Sequence, residues 1–164
     1  MLVIDALKWA NDQLKSTDID SPMLDAEVLL AEAMDTPKSW LFSHFNIPLR
    51  EHQKQHFEEM VARRETHEPV AYITGKKNFY GRTFSVTPSV LIPRPATETL
   101  VEQTLALIHE ENRDRTLFAD IGTGSGAIAV TLAAQTHVPV IATDTSKEAL
   151  LVAAQNVERL GVTD

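Results

Sequence analysis

The sequence contains no cysteine, few aromatic residues and no surplus of positive charge. The absence of cysteine excludes disulfide stabilisation and thiol chemistry, and it fits a reducing cytoplasm. A formal net charge of −8 argues against unspecific binding to nucleic-acid phosphates, which requires an excess of Lys and Arg. No apolar run approaches the roughly 20 residues that cross a bilayer, and no basic leader precedes the first apolar residues. We therefore expect a cytoplasmic protein that binds neither a membrane nor nucleic acid directly.

The histidines also show no metal-binding pattern. His52 and His56 are four residues apart on a predicted helix, but no third ligand accompanies them, so a solvated helix face is the simpler interpretation. We expect no metal site. Trp9 and Trp40 are predicted to pack among the N-terminal helices and not to form a binding platform.

Helical periodicity dominates the first part of the chain. Three stretches carry apolar residues at helical spacing. The predicted buried positions are Leu7, Ala10 and Leu14 in the first stretch, Leu24, Val28 and Ala31 in the second, and Phe57, Met60 and Val61 in the third. Ser21 precedes Pro22, and this pair predicts a helix start that the Ser21 side chain caps. The pattern indicates three or four packed helices in residues 1 to about 70.

The pattern then becomes mixed. The segment "NFYGRTFSV" alternates aromatic and polar residues around Gly81, which predicts a short β-hairpin. Pro93 and Pro95 prevent a regular helix before them. A helix is predicted after Pro95, with an apolar face formed by Val101, Leu105 and Ile108.

Strands and helices alternate in the last part of the chain. The segments "TLFADI" and "VPVIATD" predict strands, while "GAIAVTLAAQ" and "SKEALLVAAQNVERLG" predict helices. Ser146 is expected to cap the last helix and Gly161 to end it. This order implies parallel strands with a right-handed crossover. The predicted fold class is α/β: a helical bundle (1–72), a β-hairpin linker (73–92) and the first βαβα of a Rossmann-like domain with an incomplete sheet (93–164).

A glycine turn, "DIGTGSG" at residues 120–126, joins the first predicted strand to its helix. Gly122 suits a tight reversal, Gly124 lets ligand atoms approach the backbone, and a small residue at 126–127 lets the helix pack close to the strand. Free N–H groups at the helix start favour a negatively charged ligand oxygen. Asp144 ends the next strand about 20 residues further on, where a carboxylate can accept both hydroxyls of a ribose. The pattern therefore predicts a site for an adenosine-type cofactor.

The turn alone leaves the cofactor open. "GTGSGA" satisfies the G-x-G-x-x-G/A pattern of dinucleotide binders. It equally satisfies a G-x-G-x-G turn headed by an acid, Asp120, which resembles motif I of S-adenosylmethionine-dependent methyltransferases. Asp144 alone could instead cap the next helix. An NAD(P)-dependent oxidoreductase and a non-catalytic protein-binding fragment therefore remain alternative interpretations.

The stretch before the turn is more specific. It contains, in order, Arg63-Arg64, Pro69, Tyr72-Ile73-Thr74-Gly75, Phe79-Tyr80-Gly81-Arg82-Thr83-Phe84 and Ile92-Pro93-Arg94-Pro95. This order resembles the region that joins the two domains of the HemK family, the glutamine-N5 methyltransferases that modify class-1 peptide chain release factors. The segment "SPMLDAEVLLAEAM" also resembles the family's second N-terminal helix, so the resemblance covers essentially the whole chain.

The resemblance implies S-adenosyl-L-methionine as the cofactor and a class-1 release factor as the partner, docked on the helical domain. The cofactor-binding residues that it implies are Asp120, Gly122, Thr123, Gly124, Ser125, Gly126 and Asp144. Asp120 would brace the turn, and Asp144 would take the ribose hydroxyls. Pro93 and Arg94 would border the substrate pocket, although a salt bridge from Arg94 to Glu98 is an equally good interpretation of that arginine.

Two departures from the family pattern stand out. Ala96 replaces the acid that follows the second proline, and the family's Asn-Pro-Pro-Tyr motif is absent. Because that motif holds the substrate amide in the family, the catalytic residues are expected beyond Asp164, and the chain is expected to be the front portion of a longer protein and inactive by itself. Its open sheet edges are expected to cause self-association or marginal stability.

Overall fold

The computed structural model describes residues 1–110, 117–136 and 138–162. The chain divides into two compact units, Met1–Thr74 and Gly75–Asp164. We call them the helical unit and the α/β unit. The β-hairpin belongs to the second of these units.

Five helices form the helical unit. They are α1 (Val3–Ser16), α2 (Pro22–Ala33), α3 (Lys38–Leu41), α4 (Glu51–Glu65) and α5 (Val70–Thr74). The core consists of large apolar side chains from several of these helices, including Leu14, Leu29, Leu30, Leu41 and Phe57, all fully buried. Trp9 packs edge-on against Phe57 with ring centroids 5.9 Å apart. The helices α3 and α5 were not predicted, because elements of four or five residues are too short to show a periodicity.

Helix α2 differs from its prediction in two respects. Leu24 is 49% exposed and Val28 only half-buried, whereas Ala26, Leu29 and Leu30 are fully buried. The predicted face was therefore wrong except at Ala31. Because α2 is apolar on most sides and packs against both α1 and α4, periodicity alone could not select the face.

The start of α2 also corrects the prediction. Ser21 occupies the N-cap position and Pro22 the first turn, but the Ser21 side chain makes no capping hydrogen bond. Its backbone carbonyl accepts the first helical bond, from the Asp25 N–H at 3.0 Å.

The arginine pair of the sequence motif, Arg63 and Arg64, links several helices of the helical unit. Arg63 binds both carboxylate oxygens of Glu68 and donates to the Ile73 carbonyl at 3.3 Å. Arg64 donates to Asp25 at 2.7 Å and to the Glu68 carbonyl at 3.1 Å. The pair therefore ties the end of α4 to α2 and α5.

The described residues of the α/β unit form a hairpin, three helices and a parallel strand pair. Its elements are β1 (Lys76–Phe79), β2 (Arg82–Ser85), α6 (Pro95–Glu110), β3 (Phe118–Ile121), α7 (Ala127–Thr136), β4 (Val140–Thr143) and α8 (Lys147–Leu160). β1 pairs antiparallel with β2, and β3 pairs parallel with β4. Tyr80 and Gly81 both have positive φ, as a two-residue hairpin turn of type I′ requires. The order of elements agrees with the sequence prediction.

The core of this unit is smaller. Phe79 and Phe84 are buried with ring centroids 6.1 Å apart, and Val101 and Val130 lie in the same cluster. No residue of β3 or β4 is fully buried, and Ile121 is 78% exposed. Parallel strands are usually covered on both faces, so much apolar surface of this sheet faces solvent.

Candidate functional site

The parallel pairing brings the glycine turn beside the end of β4. Ile121 lies in register with Thr143, so the chain leaves both strands at the same edge of the sheet. The N–H groups of Gly122 and Thr123 both donate to the Thr143 carbonyl, at 2.8 and 2.9 Å. The turn is thereby fixed to the neighbouring strand, next to Asp144.

Asp120 stabilises the glycine turn through hydrogen bonds to its carboxylate. Its Oδ2 accepts a hydrogen bond from the Thr123 hydroxyl at 2.8 Å and another from the Ala129 N–H at 3.2 Å. The second bond satisfies a backbone amide in the first turn of α7, where a negative charge is also favourable to the helix dipole. This half-buried carboxylate is therefore engaged by the protein's own donors.

Asp144 bridges the turn and the next helix. Its Oδ2 accepts the Gly124 N–H at 2.9 Å, and its Oδ1 accepts the Ser146 N–H at 3.0 Å. These backbone bonds, from Ser146 first and Gly124 second, lower the pKa of Asp144 below its ordinary value. The carboxylate is therefore ionised at neutral pH, and each oxygen keeps a lone pair for a further donor.

Two glycines of the turn have different surroundings. Gly124 has φ +55°, and no described atom lies within 4 Å of the position a Cβ would take. Gly126 has φ +78°, and a Cβ there would lie 3.3 Å from the Cβ of Ala153 and from Cγ2 of Val130. Gly124 thus faces open space, whereas Gly126 permits close packing. The sequence analysis expected a small residue at 126–127 to let the helix pack close to the strand. In the structure, the residue of another element that lies close to Gly126 is Ala153 on α8.

The backbone amides of the turn are divided between internal and free donors. Gly126 donates to the Thr123 carbonyl at 2.9 Å, and the amides of Gly122, Thr123 and Gly124 are also bonded. Among the described residues, the N–H groups of Ser125, Ala127 and Ile128 have no acceptor. The anion-binding capacity predicted for this helix start therefore belongs to these three amides.

A crevice of about 370 Å³ opens at the edge of the sheet, lined by Ile121, Gly122, Thr143, Asp144 and Thr145. Its volume lies within the range of about 300–1,000 Å³ typical of small-molecule sites. Of the predicted cofactor residues, Gly122 and Asp144 line this crevice. Thr145 was not predicted.

The Ile-Pro-Arg-Pro segment lies in front of α6. Pro93 is buried, while Arg94 and Ala96 are exposed. Glu98 accepts the Tyr80 N–H at 2.7 Å, and Arg94 forms no ion pair with any described residue. The interpretation of Arg94 as the salt-bridge partner of Glu98 was therefore wrong, because Glu98 anchors the hairpin turn.

Sequence reasoning missed Asn156. This residue is fully buried, and its side-chain amide donates to the carbonyls of Ser85 and Ser125, both at 2.9 Å. A signal was available: in α8, residue 156 follows the apolar row Ala149, Val152 and Ala153 at helical spacing, so a polar side chain stands on the buried face.

Two further observations concern the rest of the chain. In residues 1–110, 117–136 and 138–162, no group of three or more His, Asp or Glu side chains is placed to hold a metal ion. His52 and His56 are exposed, and His137 lies outside the described residues. No helix in the described ranges is both long and apolar enough to span a membrane.

Each of the two units contains a region that matches a known protein family. Residues 5–75 match the family described as PrmC N-terminal domain, and residues 97–164 match the family described as ribosomal protein L11 methyltransferase (PrmA). The chain is 43% identical over 161 residues, 98% of its length, to a release factor glutamine methyltransferase of Koribacter versatilis. It is 40% identical to the protein of that name from Rhodopirellula baltica, over 99% of the chain.

The chain is similar over almost its whole length to release factor glutamine methyltransferases. It spans about half the length of the curated relatives it matches: 57% of the Koribacter protein and 54% of that from Vibrio cholerae, to which it is 41% identical. The two matched regions place the family's N-terminal domain in the helical unit and a methyltransferase match in the α/β unit. The predicted resemblance is thereby confirmed.

Proposed function

We propose that the protein is an S-adenosylmethionine-dependent methyltransferase that modifies the side-chain amide N5 of a glutamine in a class-1 peptide chain release factor in the cytoplasm. The single observation that carries this proposal is the glycine turn at the edge of a parallel strand pair, hydrogen-bonded to the ionised Asp144 beside an open crevice. The names of relatives about 40% identical over almost the whole chain favour a methyltransferase over an NAD(P)-dependent oxidoreductase.

The residues of the site fit an adenosyl cofactor. Asp144 is an acceptor with a lowered pKa, which suits the two hydroxyl donors of a ribose. The open space at Gly124 leaves room for ligand atoms against the backbone. The free amides of Ser125, Ala127 and Ile128 suit a carboxylate oxygen, as on a methionine tail.

The strand pair and its helices support a fold proposal. We place β3, α7, β4 and α8 as the first βαβα of a Rossmann-like methyltransferase sheet, with the hairpin as the linker from the helical domain. The parallel register of β3 and β4 and the glycine turn after β3 support this arrangement. So does the match of residues 97–164 to a methyltransferase family.

Methyl transfer to an amide requires both a bound cofactor and groups that activate the amide nitrogen. When bound, the cofactor supplies a methyl group on a sulfonium, whose departure as a neutral thioether requires no acid. The amide nitrogen is the difficulty, because its lone pair is shared with the carbonyl; alignment of the reacting atoms and acceptors that hold the NH₂ group lower the barrier. The described residues align the cofactor, and the acceptors are expected from the Asn-Pro-Pro-Tyr motif that this chain lacks.

The helical unit carries an apolar patch suited to the protein partner. Met1, Leu2, Phe42, Phe45 and Ile47 are 36–49% exposed. They lie together, because the N-terminal residues pair with residues 45–49 through backbone hydrogen bonds. An exposed patch of this kind is typical of a protein interaction site. We assign it as part of the docking surface for the release factor.

Cofactor binding tests the proposal directly. Calorimetric titration of the chain with S-adenosylmethionine should give saturable binding, and titration with NAD should give none. Asp144→Asn should weaken binding about 10- to 100-fold, because hydrogen bonds to an ionised acceptor are stronger than those to a neutral one. The matched control, Glu158→Gln, removes an exposed carboxylate in the last turn of α8 and should leave the Kd unchanged. NAD binding without a response to S-adenosylmethionine would reverse the assignment.

The activity is tested on the full-length protein, which should methylate a release factor glutamine in vitro. Phe42→Glu in the full-length protein should raise the KM for the release factor with little change for S-adenosylmethionine. A full-length protein that binds the factor without methylating it would support the non-catalytic interpretation.

A further inference from the structure

Asn156 connects parts of the α/β unit that are far apart in sequence. It lies on α8 and is 0% exposed. Its amide reaches Ser85, 71 residues earlier at the end of β2, and Ser125, 31 residues earlier in the glycine turn. Fully buried polar side chains are uncommon and are costly unless every polar atom is bonded.

The hydrogen-bonding groups of this amide are all engaged. Its Nδ2 donates to the carbonyls of Ser85 and Ser125, both at 2.9 Å, and its Oδ1 accepts the Ser85 N–H at 2.7 Å. Because two partners are carbonyls and one is an N–H, only one orientation of the amide satisfies them. Arg159 also donates to Oδ1 at 3.2 Å and to the Thr83 carbonyl. The contact to the turn is made by Asn156, and that to Thr83 by Arg159.

The bond to Ser125 completes the support of the cofactor turn. The peptide unit between Ser125 and Gly126 is held on both sides: its carbonyl by Asn156 and its N–H by the Thr123 carbonyl. Asp144 holds the preceding Gly124 N–H from the β4 side. Asn156 thus adds a hydrogen bond from α8 to the turn that Asp144 also holds.

We propose that Asn156 is a positioning residue for the cofactor. It holds the Ser125 carbonyl so that the Gly124–Gly126 bend keeps the shape that admits the adenosyl group, and it joins that bend to the end of β2. This inference rests on the proposed function, since the ligand of the bend is the cofactor assigned there.

The test compares Asn156→Asp with Arg159→Met. An ionised aspartate keeps an acceptor for the Ser85 N–H but cannot donate to the carbonyls of Ser85 and Ser125. The Kd of this variant for S-adenosylmethionine should rise at least about tenfold, because the Ser125 carbonyl in the turn loses its hydrogen bond and is left unpaired. Arg159→Met removes the contact to the Thr83 carbonyl of β2 and the 3.2 Å bond to Asn156 Oδ1, but it leaves the Asn156 bond to the turn, and its Kd should stay within about twofold. Asn156→Asp should regain affinity as the pH falls, because a protonated carboxyl again donates one hydrogen.

The outcomes separate the two proposals. If the wild-type chain binds no S-adenosylmethionine, the proposed function fails. If the wild type binds and Asn156→Asp binds equally well, or Arg159→Met weakens binding as much, the positioning role is overturned. Circular dichroism checks that each variant is folded; should Asn156→Asp not fold, Asn156→Ser, which introduces no charge, takes its place under the same criteria.

Discussion

The helical unit buries a continuous set of large side chains, whereas in the α/β unit neither strand of the parallel pair has a buried residue. The most exposed large apolar residue of the helical unit, among those described, is 49% accessible, while Leu91 and Ile121 of the other unit reach 73% and 78%. The α/β unit instead gains order from polar contacts at the glycine turn, made by Asp120, Asp144 and Asn156. One unit is therefore stabilised chiefly by apolar packing, and the other combines a smaller core with the polar contacts of the candidate site.

The largest expected effect is on the stability of the smaller core. Phe84→Ala should lower the free energy of unfolding of the α/β unit by about 3–5 kcal/mol, the usual cost of deleting a fully buried phenylalanine. Both tryptophans lie in the helical unit, so the tryptophan fluorescence transition in denaturant should stay in place while the circular dichroism transition moves. Phe57→Ala, equally buried, should move the fluorescence transition. Coincident shifts by both probes would show that the units unfold together.

Alanine substitutions at Gly126 and at Gly124 should lower the stability of the α/β unit by different amounts. Gly126→Ala should destabilise the α/β unit by about 1–3 kcal/mol, because the added methyl meets Ala153 and Val130 at 3.3 Å on a positive-φ backbone. Gly124→Ala shares the positive φ but meets no described atom within 4 Å, so its cost should be about 1 kcal/mol. Denaturation followed by circular dichroism measures both. Equal losses would contradict the assignment of close packing to Gly126.

Self-association should originate in the α/β unit. The exposed strands β3 and β4 offer pairing edges and apolar surface to a second chain, so light scattering should detect species larger than a monomer. Ile141→Lys, in β4, should shift the population at least about tenfold towards the monomer, because a lysine on an exposed strand opposes pairing with a second chain. Leu24→Lys is the matched control: Leu24 is 49% exposed and Ile141 50%. A monodisperse wild-type monomer would count against this prediction.

The smallest effect distinguishes the two carboxylates with lowered pKa values. The pKa of Glu68 is lowered by its hydrogen bond to Arg63, and that of Asp144 by backbone amides. Both are lowered on folding, so each contribution is present above the ordinary pKa, 4.5 for Glu and 3.8 for Asp, and is lost as the pH falls through the folded value. Glu68→Gln should cost the helical unit less than about 1 kcal/mol, since Arg63 is partly exposed.

Salt provides the comparison between these two carboxylates. High salt should remove most of the Glu68→Gln effect, because exposed ion pairs are screened. Asp144→Asn should reduce the acid sensitivity of the α/β unit. High salt should change this sensitivity little, because the Asp144 carboxylate is bonded to backbone amides and not to a mobile cation. Acid titrations at low and high salt, followed by fluorescence and circular dichroism, measure the two units separately. Equal salt sensitivity in both would contradict this distinction.

Local patterns predicted most elements of both units. The apolar seam at Phe57, Met60 and Val61 is buried as expected, and α8 is capped by Ser146 and ended by Gly161, because these signals act within one turn of helix. The patterns failed where a choice depended on neighbours. The buried face of α2 was misassigned, and Glu98 binds the Tyr80 amide, 18 residues away, and not Arg94.

The sequence by itself determined the order of elements, the glycine turn with an acid about 20 residues beyond it, and the resemblance to a methyltransferase family, because these depend on residue types and spacings along the chain. Only the tertiary structure decided which amides of the turn are free, that Gly126 packs against Ala153, and that Asn156 holds the Ser125 carbonyl. The two contacts join residues 27 and 31 positions apart, and hydrogen bonds and van der Waals contacts depend on distances in space that no local pattern encodes.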